Sequence, residues 1–176
     1  MQVGLYVPAQ EASLSICDTV LTHYPALENP EKGTGRFGDE AERIGLLFQA
    51  ASRHSLILLN ESLSSTSGGE SLYLAQDIVR VLRMLGARAV YATHLHGLAA
   101  SAEELNRDTP GDSRVLSVVA LIKEDPDRRE QGSITPTFRI VPGPPEGHSY
   151  AIDLAGRFGI SKEQLIETLK QRGLSL

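Results

Sequence analysis

The feature that most constrains this chain is a run of four apolar residues, Leu56-Ile57-Leu58-Leu59, set between Ser55 and Asn60-Glu61. A short run that is apolar without alternation and bounded by polar residues predicts a parallel strand buried on both faces. The next segment changes period. Leu72, Ala75, Ile78, Val79, Leu82 and Leu85 share one helical face, with Ser67 and Glu70 at capping-box spacing before it and Gly86 after it. Ala89-Val90-Tyr91-Ala92-Thr93 then reads as a second short strand. Strand, helix and strand make a unit whose crossover is right-handed. The fold class is therefore α/β, a parallel sheet with flanking helices.

The flanks fit around this unit. Residues 13–22 largely alternate, with Leu14, Ile16 and Val20 apolar, and predict a strand in a partly exposed sheet. Pro25 to Gly38 is rich in Pro, Gly and charge and reads as a loop. Phe37, Ala41, Ile44, Leu47, Phe48 and Ala51 fall on one helical face, so a helix is expected from Phe37 to about Arg53. Further on, Val115–Ile122 and Thr135–Val141 read as antiparallel strands around a charged loop at Lys123–Gln131, a β-hairpin extension. Pro142-Gly143-Pro144-Pro145 breaks the chain. Two helices are expected after it, from Ser149 to about Arg157 and from Ser161 to Arg172. The second has a Ser161/Gln164 capping box and is stopped by Gly173.

Composition removes several function classes. At 176 residues the chain has the size of one ordinary domain, with room for a small appendage. Cys17 is the single cysteine, so there is no disulfide framework and no multi-cysteine zinc site, and a reducing cytoplasm is the default expectation. No apolar run approaches the roughly 20 residues of a membrane span, and the N-terminus lacks a signal-peptide pattern. Lys plus Arg number 17 against 22 Asp plus Glu, a net charge of -5. That sign argues against a domain whose main partner is a phosphate backbone.

In parallel α/β sheets ligands sit beyond the carboxyl ends of the strands. If the two strands pair, Glu61 and His94 converge on one rim, where they could orient and deprotonate a water attacking phosphorus. From spacing alone, Glu61 also reads as an ordinary loop carboxylate and His94 as a satisfied rim histidine. His94-x-His96 suits a metal, with Glu61 or Cys17 as a further ligand. His23, His54 and His148 stand singly and read as surface or packing residues. The polar stretch Ser64 to Gly69, ending at a helix start, reads either as an anion site or as an N-cap and turn. There is no G-x-x-x-x-G-K-S/T phosphate loop, and Lys32-Gly33-Thr34-Gly35 does not replace it.

In order, these pieces resemble the distal part of the ATPase domain of the MutS family, mismatch-recognition proteins of the ABC ATPase superfamily. Gly4-Leu5-Tyr6-Val7-Pro8-Ala9 is similar to the family's G-S/C-F/Y-V-P-A. Leu56 to Glu61 resembles its Walker B strand, Thr66-Ser67 the end of G-R-G-T-S, and Ala92-Thr93-His94 its Ala-Thr-His. Pro142-Gly143 and His148-Ser149-Tyr150-Ala151 resemble its P-G…S-Y-G stretch. From Phe37, at the aromatic of S-T-F-M-V-E-M, the count to Asn60 has no gap, and Glu40 falls on that motif's glutamate.

The resemblance implies a partial P-loop NTPase fold of ABC type over 1–141 and a helical extension over 142–176. It implies ATP and Mg²⁺ as cofactors of the intact protein, with Glu61 as base or water-orienting residue and His94 as sensor of the γ-phosphate. Asn60 and Glu61 take the metal position, and Thr66 and Ser67 a nucleotide-side loop facing a partner subunit. It further implies a homodimer formed through the ATPase domain and the terminal helices, and mismatched DNA bound by domains elsewhere. For Leu165, Ile166 and Leu169 packing on the chain's own sheet is the other reading. Several positions depart from the pattern. Asn60 replaces an aspartate, which weakens a contact to a hard cation. Gly35 stands at the signature serine, and Leu63-Ser64-Ser65 replaces Gly-Arg-Gly. The match begins inside a domain, as expected of a piece of a longer protein that is inactive alone. A degenerate module that binds nucleotide or partners without turnover is the alternative.

Overall fold

The computed structural model describes residues 6–26, 33–124, 134–145, 155, 156 and 158–173. The chain divides into two compact units, Met1–Leu116 and Ser117–Leu176. The first is built on a parallel three-stranded sheet in the order β1-β2-β3, with β1 at Val20–His23, β2 at Leu56–Asn60 and β3 at Arg88–Ala92. Helix α1, Gly35–Ala50, connects β1 to β2, and α2, Gly68–Leu85, connects β2 to β3. Gly86 ends α2 at φ 74, and its N–H bonds Leu82 O and Arg83 O, a left-handed cap that an L side chain would strain. Two short helices follow, α3 at His96–Ala100 and α4 at Ala102–Asp108.

Period and register together assign the sheet faces. Ile57 and Leu59 are 0% and 2% exposed and pack with Leu47 of α1 and Leu82 of α2. Their register neighbours Leu21, His23 and Tyr91 share that face. Both crossovers step the same way across the sheet, so one handedness puts both helices on one side. The expectation that β2 is buried on both faces is therefore corrected. On the other face Leu56 and Leu58 are only half-buried, and Val20 and Val90 are 53% and 56% exposed.

Other expectations shift at their ends. The first strand starts at Val20, not at residue 13, and Leu14 and Ile16 are exposed. Helix α1 begins two residues before Phe37, which is itself exposed, and ends at Ala50. Ser67 has extended backbone before α2 but makes no side-chain cap. Its hydroxyl donates to Glu70 Oε2 at 2.8 Å, so capping-box spacing is present without the box.

Arg83 anchors α2 to the segment after α4. Buried, it donates to the carbonyls of Leu105, Asn106, Thr109, Gly111 and Ser113, which include carbonyls of the last turn of α4. A cation there satisfies orphan carbonyls and meets the negative end of the helix dipole.

In the second unit β4, Val118–Glu124, pairs antiparallel with β5, Ile134–Pro142. The register shifts between Leu121 and Ile122, and Phe138 sits there at φ 58. Helix α5, Lys162–Gln171, carries the Ser161/Gln164 capping box in full, and Gly173 follows at φ 78. Leu165 is 46% exposed, and Ile166 and Leu169 are half-buried. Most of the hairpin loop at Lys123–Gln131 and of the helix expected at Ser149–Arg157 lies outside the described residues, as does His148. Among the described residues no helix is long and apolar enough to cross a membrane.

Candidate functional site

The parallel pairing of β2 with β3 places Asn60 opposite Ala92, so both strands end on one rim. Glu61 follows Asn60, and His94 lies two residues past β3. Glu61 Oε1 and His94 Nε2 are 3.5 Å apart, with side chains 29% and 93% exposed. The pair inferred from strand order is therefore in contact. Asn60 is half-buried beside it.

The loop from Glu61 to Ser67 is held in an unusual shape. Glu61 and Leu63 have φ of 47 and 69. The left-handed region costs an L residue roughly 1–2 kcal/mol, so the surroundings must fix it. Each neighbouring element contributes. Glu61 N–H donates to Ala92 O at 2.8 Å, which continues the ladder from β3. Leu63 N–H donates to Glu40 Oε1 at 2.7 Å, and Ser65 Oγ donates to Glu40 Oε2. Ser71 Oγ of α2 donates to Leu63 O at 2.7 Å, and Tyr91 Oη donates to Ser62 O at 2.8 Å. Leu63 is 3% exposed and packs with Ile44, Ala75, Val79, Leu98 and Leu105.

The titrating groups follow from this burial. His23 is 3% exposed, and burial together with nearby Arg43 pushes its pKa below the usual imidazole value, Glu40 opposing. Tyr91 is pushed well above the usual phenol value by burial and by the carboxylates of Glu40 and Glu61. The outer part of the loop differs. Thr66 and Ser67 hydroxyls both donate to Glu70 Oε2, and these bonds lower the pKa of the Glu70 carboxyl. A carboxylate already holds the donors that an anion at this turn would need.

The metal reading does not assemble among the described residues. His94 and His96 are both exposed, and no group of three or more His, Cys, Asp or Glu converges. Cys17 precedes β1, where Asp18 N–H donates to His54 O and Leu56 N–H to Thr19 O, at the end of the sheet opposite Glu61. His54 belongs to that far turn, where the Asp18 carboxylate accepts from Ser52 and Ser55 hydroxyls. These bonds, with the positive field of His54, lower the pKa of Asp18.

Residues 1–172 match the family MutS domain V. The chain belongs to the MutS domain V family. Among its relatives is the DNA mismatch repair protein MutS of Oleidesulfovibrio alaskensis, 31% identical over 180 residues, 97% of this chain and 18% of the relative. The MutS of Streptococcus sanguinis is 33% identical over 168 residues, and that of Thermus aquaticus 30% over 162 residues, covering 94% and 92% of this chain and 18% of each relative. The chain thus spans less than a fifth of the length of these MutS proteins. On this domain V fold Gly35 opens α1 at φ 70, and Glu40 is buried beneath the loop after β2. Leu63 holds a left-handed backbone, a conformation that glycine adopts without strain. Gly4, Leu5 and His148 to Ala151 lie outside the described residues.

Strand order singled out Glu61 and His94, and the family resemblance Asn60, Thr66, Ser67 and Glu40; neither pointed to His23, Ser62, Ser71 or Tyr91 as partners of the loop. His23 and Ser62 are 39 residues apart and meet across the sheet, which no local pattern encodes.

Proposed function

We propose that this chain is the distal part of a P-loop, ABC-type ATPase domain that, in the longer MutS-type protein, binds and hydrolyses ATP and so controls binding of mismatched DNA. The observation that carries the reading is the Glu61–His94 pair at 3.5 Å on the carboxyl rim of a parallel sheet. The donor set suits Mg²⁺ with ATP. Asn60 and Glu61 offer hard oxygens, and this ion keeps several waters and takes its other ligands from phosphates. The neutral amide of Asn60 makes that hold weaker than an aspartate would.

Bound Mg²⁺-ATP supplies the electrophilic γ-phosphoryl group and neutralises part of its charge. The chain supplies position and proton transfer. Glu61 orients a water by accepting its hydrogen bond and takes its proton on Oε1 or Oε2. His94, fully reachable from solvent, donates from Nε2 to a γ-phosphate oxygen. Thr66 and Ser67 exchange their Glu70 contact for the nucleotide side of a partner subunit, and α5 adds dimer contacts through Leu165, Ile166 and Leu169. The bare sheet face with Val20 and Val90 fits a domain completed by further chain.

The test compares ATP turnover by the isolated 176 residues with that of a longer protein carrying this segment and a phosphate loop. The isolated chain, which contains no G-x-x-x-x-G-K-S/T, is expected to be inactive. In the longer protein Glu61→Gln is expected to lower turnover by about a hundredfold or more while ATP binding persists. Unchanged turnover in Glu61→Gln, or turnover by the isolated chain, overturns the reading. Raised turnover in Asn60→Asp identifies the metal position.

A further inference from the structure

One buried group takes no part in the proposed chemistry. His23 ends β1 with its Nδ1 2.7 Å from Ser62 Oγ, and Ser62 is 1% exposed. Its Nε2 is also buried and has no hydrogen-bond partner among the described residues. A proton on Nε2 lets the Ser62 hydroxyl donate to Nδ1 and buries a ring N–H with no acceptor among the described residues. A proton on Nδ1 instead lets the ring donate and leaves the Ser62 hydroxyl proton without such an acceptor. In either tautomer one hydrogen bond joins His23 Nδ1 to Ser62 Oγ. A second proton on the ring would place a buried cation near the Arg43 charge of α1, with Glu40 opposing.

Ser62 lies between the two left-handed residues, Glu61 and Leu63. Its carbonyl is fixed by Tyr91 of β3 and its hydroxyl by His23 of β1, so the middle of the turn is clamped from both neighbouring strands. We propose that His23 is a positioning residue whose Nδ1 to Ser62 Oγ hydrogen bond holds the turn that aims the Glu61 carboxylate at His94. Its consequence for catalysis rests on the reading of Glu61 given above, while its consequence for the loop does not.

The experiment has two arms. In the full 176-residue chain, NMR spectra near neutral pH are expected to show a neutral His23 ring, with either its Nδ1 proton or the Ser62 hydroxyl proton protected from exchange by their shared bond. A ring whose Nδ1 takes part in no such bond overturns the proposal. Amide exchange is then compared in His23→Leu, Ser62→Ala and His23→Asn. Loss of the bond in the first two is expected to speed exchange at Glu61 and Leu63 by up to about tenfold, leaving α2 unchanged. Asn places an amide group near the Nδ1 position that can make the same bond, and is expected to restore slow exchange. Equal acceleration throughout the sheet, or no rescue by Asn, reduces His23 to a packing residue and overturns the proposal.

In the longer protein, His23→Leu is expected to lower kcat for ATP by about tenfold with KM nearly unchanged, and His23→Asn to recover it. If the wild-type protein shows no turnover, the catalytic reading fails and the NMR arm still decides the loop. If turnover is present and His23→Leu leaves kcat unchanged, the positioning role fails and the reading of Glu61 stands.

Discussion

The underside and the rim of the loop after β2 are a few residues apart and built on opposite principles. Underneath, Glu40, Ser62, Leu63 and Ser71 are each less than 5% exposed, and their polar atoms make directed hydrogen bonds. On the rim, His94 is 93% exposed, and its ion-pair contact with Glu61 is long for a hydrogen bond. The underside supplies shape, and the rim presents an exposed imidazole and a partly exposed carboxylate. Glu61 and Leu63 both hold a left-handed backbone, but Leu63 turns its side chain into the core and Glu61 presents its carboxylate at the rim.

The sharpest way to break this contrast is to remove the buried carboxylate. Glu40→Ala leaves the Leu63 N–H without its acceptor and frees Ser65. Urea unfolding of the chain is expected to show a loss of about 3 kcal/mol, the scale for deleting a buried, charge-assisted partner. Glu40→Gln keeps an amide carbonyl for Leu63 and is expected to lose only about 1 kcal/mol. Equal losses for the two variants would mean that the charge rather than the acceptor holds the turn.

How much of this was legible beforehand follows the same division. The β2-α2-β3 unit was readable because its periods are local, and Glu61 and His94 follow from strand order once the sheet is parallel. The bare sheet face was not readable. Four apolar residues in a row describe the strand and not what covers it, and only the direction of both crossovers decides that α1 and α2 share a side. Ser67 and Glu70 show a second limit. Their spacing is that of a capping box, yet the hydroxyl has a stronger local acceptor in the Glu70 carboxylate than it would have a donor in a backbone N–H. Helices α3 and α4, five and seven residues long, are too short to display a period.

A smaller effect separates the two burdens on Leu63. Glycine at φ 69 would relieve about 1–2 kcal/mol of backbone strain. It would also remove a side chain that is 3% exposed, a change that costs about 2–5 kcal/mol in leucine-to-alanine series. Packing wins on these magnitudes, so Leu63→Gly is expected to lose about 2 kcal/mol in the same unfolding measurement. A gain in stability would show that the backbone strain outweighs the packing and that the site keeps leucine against it.

The smallest expected effect lies on the rim. Two groups separated by 3.5 Å with one of them in open water attract weakly, because solvent screens the pair and each side chain must be ordered to make it. Glu61→Gln keeps the backbone bond to Ala92 O and the length of the side chain, and removes only the charge. Its unfolding free energy is expected to stay within about 0.5 kcal/mol of the parent. The same substitution is the one expected to all but abolish ATP turnover in the longer protein. A group that matters to reaction and little to stability must be held by others, and Glu40 and Ser62 make the hydrogen bonds that hold this loop from beneath. A loss above about 1 kcal/mol in Glu61→Gln would instead join the rim to the buried network, and the separation between shape and chemistry in this loop would no longer hold.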